Sequence, residues 1–256
     1  MPTFIGLDLA WSAKNESGIC WLEGDSRENL RCARIEARAC ETETLADEVA
    51  SASPAVVTID APLLCTKERW VDSEIGRKHR FHPFKIAARP AKAALQRGER
   101  AGVDLGTALK ARGFDCEPPS LRNTEVIERS AMEVYPHTIH VRLFRLAERI
   151  PYKKNDKRTW AFCQAAMRSY QRHMATLIER EAPGILDHPV VQQSLDPAIT
   201  QSLIGKAYKR LDDTLDGLTC ALAAYLIWKE PERWERIGDQ NGYIVVPRPL
   251  DEQPAL

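Results

Sequence analysis

The sequence predicts an α/β fold in which a mixed sheet, antiparallel over its first three strands and parallel thereafter, is flanked by helices. Three patterns carry that expectation. Residues 3–10 and 55–60 are short, continuous apolar runs of the kind that form buried strands. Between them, two further strand-like runs are separated by tight polar turns. Residues 160–182 and 213–229 carry helical periodicity, and the second of these is apolar nearly all round, as a helix packed on a sheet would be.

Taken in order, residues 3–10 form the first strand. The turn Lys14-Asn15-Glu16-Ser17-Gly18 leads into a second at 19–23, and 25–29 is another turn. Residues 30–37 alternate apolar and polar, with Cys32 and Ile35 or their neighbours inward. Residues 42–51 begin with acids and place Leu45 and Val49 at helical spacing, so they are a crossover helix into the parallel strand 55–60. Residues 63–128 are polar, basic and broken by Pro83, Pro90, Pro118 and Pro119, with helices expected at 91–96 and 105–111. This stretch is an insertion within a single domain spanning residues 1–256. Residues 133–141 return to strand, 183–197 are loop, 199–208 a short helix and 244–246 a last strand.

Thirty-six basic and 36 acidic residues cancel, so no global field points to nucleic acid. The balance is local. Between residues 67 and 112 twelve Lys or Arg face five Asp or Glu, which is either a solvated helix face or a track for phosphates. Seven cysteines without a CxxC pair suit a reducing compartment. Nothing ahead of the first strand resembles a signal peptide, and no apolar stretch reaches a membrane span, so a cytoplasmic protein with no membrane partner is expected.

The informative residues are acids in apolar runs. Asp8 lies inside Phe4-Ile5-Gly6-Leu7-Asp8-Leu9-Ala10. Asp60 ends Ala55-Val56-Val57-Thr58-Ile59-Asp60, and Ala61-Pro62 stops that strand. Glu133 begins Glu133-Val134-Tyr135-Pro136. Asp212, Asp213 and Asp216 open the apolar helix. A carboxylate among apolar residues is costly to bury without compensation. Each has a plainer explanation: Asp60 as a turn residue, Glu133 as the partner of an arginine, Asp212 to Asp216 as a helix cap. Asp8 has none, because a central strand gives it no backbone to cap. Four such places suggest convergence, and a hard divalent cation, Mg²⁺ or Mn²⁺, is the usual remedy for converging oxygens. Two such ions can activate a water and stabilise the leaving oxygen of a phosphodiester. Asp213 with Asp216 and Asp212 with Asp216 both share a helix face, so spacing leaves the choice between 212 and 213 open.

The segments FIGLDLAW, SGICWL, VVTIDAPL, MEVYP and LDDTLDGLTCALAAY, in this order, resemble the DUF429 family of predicted nucleases, over roughly residues 3–228. The resemblance implies a ribonuclease H-like fold with an acid on its last helix. It also implies roles. Asp8, Asp60 and Asp216 would hold metal, with Asp213 and Glu133 assisting. Asp213-Thr214-Leu215-Asp216 matches the paired acids of RuvC-type junction resolvases. A resolvase-like role would make a homodimer. One departure stands out: the last helix reads Asp-Gly-Leu at Gly217, where the family more often has Asp-Ala-Leu.

Lys85, Arg89 and Lys153 are candidate phosphate contacts, each weighed against a solvent lysine or arginine. His79 with His82 and His137 with His140 lack partners at zinc spacing, and Trp11 either stacks a base or packs. The expected function is metal-dependent hydrolysis of nucleic acid, DNA or RNA, by a two-metal-ion mechanism. The alternatives are a non-catalytic nucleic-acid-binding protein on the same scaffold and an ATP-dependent phosphotransferase. The latter would need glycine-rich phosphate loops that this chain lacks.

Overall fold

The computed structural model describes residues 1–12, 14–52, 54–75, 81–87, 90–121 and 129–249. Its centre is a five-stranded sheet of order β3-β2-β1-β4-β5, made of β1 (Thr3–Asp8), β2 (Ser17–Glu23), β3 (Arg31–Arg38), β4 (Ala55–Ile59) and β5 (Ser130–Glu133). The first three strands are an antiparallel meander, and β4 and β5 run parallel to β1. The fold is therefore α/β with a mixed sheet flanked by helices.

Strand alternation assigns the residues of β1 to two layers. Ile5 and Leu7 face α1 (Thr42–Ser51) and α4 (Ala101–Ala111), where they join Leu45, Val49, Leu105 and Leu109. Phe4 lies on the opposite face, in the larger core around α9 (Gly205–Lys229). Asp8 is an even-numbered position too, so it falls on the α9 side. Cys32 and Ile35 are both inward although three residues apart. The β2–β3 register jumps between Trp21, opposite Arg34, and Leu22, opposite Cys32, so Ala33 is a bulge that resets the alternation.

Prolines account for most departures from the sequence expectation. Residues 136–141 are not strand. β5 ends at Glu133, and α5 (Pro136–Leu143) begins at once, with Tyr135 extended as the residue before a proline prefers. Residues 183–197 are not a plain loop either. Pro183 starts a 3-10 turn, and Pro189 starts a helix of its own. Pro197 starts another short helix, ending at Thr200, and the last helix begins at Gly205, so the helix expected over 199–208 is interrupted at 201–204. At the first helical position the missing N–H of proline costs nothing. The last helix starts at Gly205, two turns before Asp213, so its acids lie in the body of the helix and cap nothing.

Between β4 and β5 the described residues form α2 (Trp70–Ser73), α3 (Ala91–Gln96) and α4. The long helix α6 (Trp160–Glu181) is capped by Thr159, whose hydroxyl accepts from Phe162 N at 3.2 Å. The final strand pairs with one the sequence did not reveal: β6 (Trp234–Asp239) and β7 (Gly242–Pro247) form an antiparallel ribbon, bridged to the sheet at Val134 and Val245. Among the described residues, no helix is long and apolar enough to cross a membrane.

Candidate active site

β1, β4 and β5 are parallel, so their carboxyl ends lie side by side, and each carries an acid there. Asp8 is the last residue of β1. Asp60 follows β4, and its amide donates to Leu7 O at 2.8 Å, which ties it to the end of β1. Glu133 ends β5. α9 packs on the face of β1, β2 and β4, with Asp212, Asp213 and Asp216 buried. The edge is one mouth of a cleft of about 810 Å³, lined by Asp8, Asp60, Glu133 and Asp213, by Trp11 and Tyr135, and by Lys14, Lys153, Lys206 and Lys209.

The acids divide into two groups by what they touch. Asp216 has no exposed surface, and both of its oxygens are engaged. Its Oδ1 accepts from the Tyr152 and Tyr170 hydroxyls at 2.7 and 3.1 Å. Its Oδ2 accepts from Tyr152 at 3.0 Å and from the Lys153 ammonium at 2.8 Å. Burial disfavours its charge, but Lys153, together with His140 and His137, holds the carboxyl below the ordinary range. Asp8 and Asp213 are different. Both are buried, and Asp8 Oδ2 and Asp213 Oδ2 have no hydrogen-bond partner. Burial raises the Asp8 carboxyl against the opposing pull of Lys153. Burial, then the charge of Asp8, pushes Asp213 up to about 8, although Lys209 pairs with it one helical turn away. Burial takes Asp212 to about 7, with Oδ1 unpartnered. Asp60, half-buried at the mouth, is raised well above the ordinary range by desolvation and by Asp8. Lys153 is kept charged against burial by Asp216, Asp8, Asp212 and Asp60.

Glu133 has a structural partner. Its Oε1 accepts from Arg69 Nη2 at 2.6 Å and its Oε2 from Leu63 N at 3.2 Å. Burial still pushes it up to about 7, with Arg69 opposing. Arg69 is itself buried and lies 3.5 Å from Asp72, which accepts from Ala91 N. Glu133 therefore fastens the segment between β4 and β5 to the sheet.

Of the expected phosphate contacts, Lys153 lines the cleft; Lys85 does not, and pairs with Glu148 at 2.5 Å. Arg89 and His79 lie outside the described residues. Among the described residues of the basic stretch, Lys92, Arg97, Arg100, Lys110 and Arg112 each pair with an acid. The positive wall comes instead from Lys14, Lys206 and Lys209, which sequence reasoning passed over. A signal existed: Lys209 and Asp213 are four apart on one helix, visible only once the helix is begun at Gly205. Tyr152 and Tyr170 were missed because a tyrosine in an apolar pattern reads as core. His137 and His140 are buried in α5, and burial with the nearby Lys153 charge drives the pKa of His137 down.

Hard oxygen donors suit Mg²⁺ or Mn²⁺, and the orphaned oxygens of Asp8 and Asp213 are of that kind. As the side chains stand, no group of three or more metal-ligating residues converges among the described residues, since Lys153 and Lys209 take up part of the acid cluster.

A family model described as a protein of unknown function, DUF429, matches residues 6–239. The chain belongs to the DUF429 family. The match runs from β1 to the end of β6 and so includes every acid of the cleft. No curated protein and no solved structure gives a match.

Proposed function

We propose that this DUF429 protein is a metal-dependent nuclease that hydrolyses phosphodiester bonds of nucleic acid. One observation carries the proposal: Asp8 and Asp213, one on a strand and one on the helix packed against it, both line a lysine-walled cleft, and each has a buried oxygen without a partner. Burying two acids unsatisfied is expensive, and a bound cation would offset that cost. Asp8 and Asp213 would hold Mg²⁺ or Mn²⁺, with Asp60 beside them. When bound, the ion supplies an activated water and charge neutralisation at the phosphorus oxygens. The protein's own share is positioning. Lys14, Lys206 and Lys209 draw the phosphates in, and Lys153 faces the developing charge. Trp11, on the cleft wall, offers a face on which a base can stack.

The strand directions and the acids on the last helix support the ribonuclease H-like fold that the family resemblance implies. Seven free cysteines support a cytoplasmic location. A non-catalytic nucleic-acid-binding protein is the second reading, favoured by the lysines already paired with Asp216 and Asp213.

The test is incubation with Mn²⁺ or Mg²⁺ and labelled single strands, duplexes, RNA–DNA hybrids and four-way junctions, with Asp8→Asn and Asp213→Asn in parallel. Cleavage by the wild type, lost in both variants, is the expected result. Binding without cleavage in any metal would move the assignment to the second reading.

A further inference from the structure

If the nuclease reading holds, the cleft has room for fewer ions than a two-metal site. We infer that the Lys153 ammonium is a built-in cation standing where a second divalent ion would sit, so that the protein works with one bound ion and one lysine.

Asp216 is bound on both oxygens by groups of the protein. An ionised carboxylate offers about four acceptor sites. Here the Tyr152 hydroxyl reaches both oxygens, Tyr170 approaches Oδ1 and the Lys153 ammonium pairs with Oδ2. Both oxygens are engaged within the protein, and the one facing Lys153 already has a cation. Asp8 and Asp213 both line the cleft, and each keeps one buried oxygen without a partner. The acid cluster thus has one open end, at Asp8 and Asp213, and one filled end, at Asp216. Two ions in such a site sit about 4 Å apart and each needs carboxylates of its own. The filled end already has its cation.

Lys153 is also held in place. The Tyr152 hydroxyl is bound to Asp216, and the Tyr152 carbonyl accepts from the Tyr208 hydroxyl at 2.7 Å. Tyr208 and Asp216 both belong to α9, so the backbone next to Lys153 is pinned at two points to the helix that carries the acids. A cation fixed in this way needs no reorganisation when substrate arrives. Lys153 lines the cleft, so it can meet a phosphate oxygen directly.

The experiment is a Mn²⁺ titration of the full chain without nucleic acid, followed by calorimetry and by electron paramagnetic resonance. The wild type should take up one ion with the signal of an isolated Mn²⁺. Lys153→Gln, which removes the charge and the ammonium contact to Asp216 Oδ2, should take up two, with the signal of a spin-coupled pair. Lys153→Arg keeps the charge and should stay at one, and thermal melts of both variants establish that they fold. Two ions in the wild type would overturn the inference and leave the nuclease reading intact. No ion in the wild type would overturn both. A folded Lys153→Gln that still takes only one ion would show that Lys153 displaces nothing.

Discussion

Gly18 and Gly217 meet backbone to backbone. A methyl added at Gly217 would lie 2.8 Å from the Gly18 carbonyl carbon, and one added at Gly18 would overlap the Asp213 carbonyl. β2 and α9 are therefore in contact through glycine on both sides, and this closeness brings Asp213 down to Asp8. In an ordinary helix Gly→Ala gains roughly 0.5–1 kcal/mol. At Gly217 the overlap with backbone should reverse that sign, for a net loss of about 1–2 kcal/mol. Gly18→Ala should cost more, and both should weaken Mn²⁺ binding. Urea denaturation decides it; a stabilised Gly217→Ala would mean that the helix can lift without penalty.

Arg69 and Glu133 should behave as a unit. The Arg69 side chain has no exposed surface, and removing it leaves Glu133 Oε1 buried without its partner. Arg69→Met is expected to cost roughly 3–5 kcal/mol. Adding Glu133→Gln, which still accepts from Leu63 N, should restore a large part of that loss. A double-mutant cycle measures the coupling. Simple additivity would show that the two are not energetically paired.

Much of this was legible in the sequence, for identifiable reasons. Asp8, Asp60 and the 212–216 acids stood out because a carboxylate interrupts an apolar run only at a cost. The meander and crossover were legible because alternation and short apolar runs report a sheet directly. Two kinds of feature were not. Pro136 falls inside an expected strand and prolines 183, 189 and 197 in an expected loop, whereas each begins a helix or helical turn. The partners of the acids come from segments distant in the chain: Tyr152 lies 64 residues from Asp216, and Arg69 lies 64 from Glu133. No local pattern reports such pairs, so the sequence could show which acids are unusual but not which are already satisfied.

The ion-free protein should lose stability as pH rises. Asp213 is pushed up to about 8 by burial and then by Asp8, with Lys209 opposing and Asp212 adding to the repulsion. In the unfolded chain its carboxyl titrates near the ordinary 3.8. Between those values the folded state holds a proton that the unfolded state has released. Stability is therefore fully present below the unfolded value and is lost as pH rises through about 8, by at most about 1.4 kcal/mol per pH unit for one proton. Asp212, raised to about 7, acts in the same direction. Thermal melts in chelator from pH 6 to 9 should show a falling Tm for the wild type. Asp213→Asn should melt higher at pH 9 and with a flatter profile. An unchanged pH slope in that variant would place the proton elsewhere.

Nucleic-acid affinity should depend on the lysines of the cleft rather than on the basic stretch that the sequence puts forward. Lys14 and Lys206 are exposed on the cleft wall, whereas Lys92 is paired with Glu68 and Lys110 with Glu117. A lysine that neutralises a phosphate releases a counterion on binding, so its loss reduces the slope of log K against log salt by about 1. A lysine already compensated by an acid releases almost none. With Asp8→Asn as a non-cleaving background, Lys14→Ala and Lys206→Ala should each lower the slope by about 1. Together they should lower it by about 2, with affinity falling across all sequences alike. Lys92→Ala and Lys110→Ala should leave the slope unchanged. Fluorescence anisotropy at a series of salt concentrations gives all of these values. The opposite pattern, with the slope carried by Lys92 and Lys110, would move the nucleic acid from the cleft onto the segment between β4 and β5. The Asp8–Asp213 acids would then stand away from the phosphates, and a nuclease role for them would lose its footing.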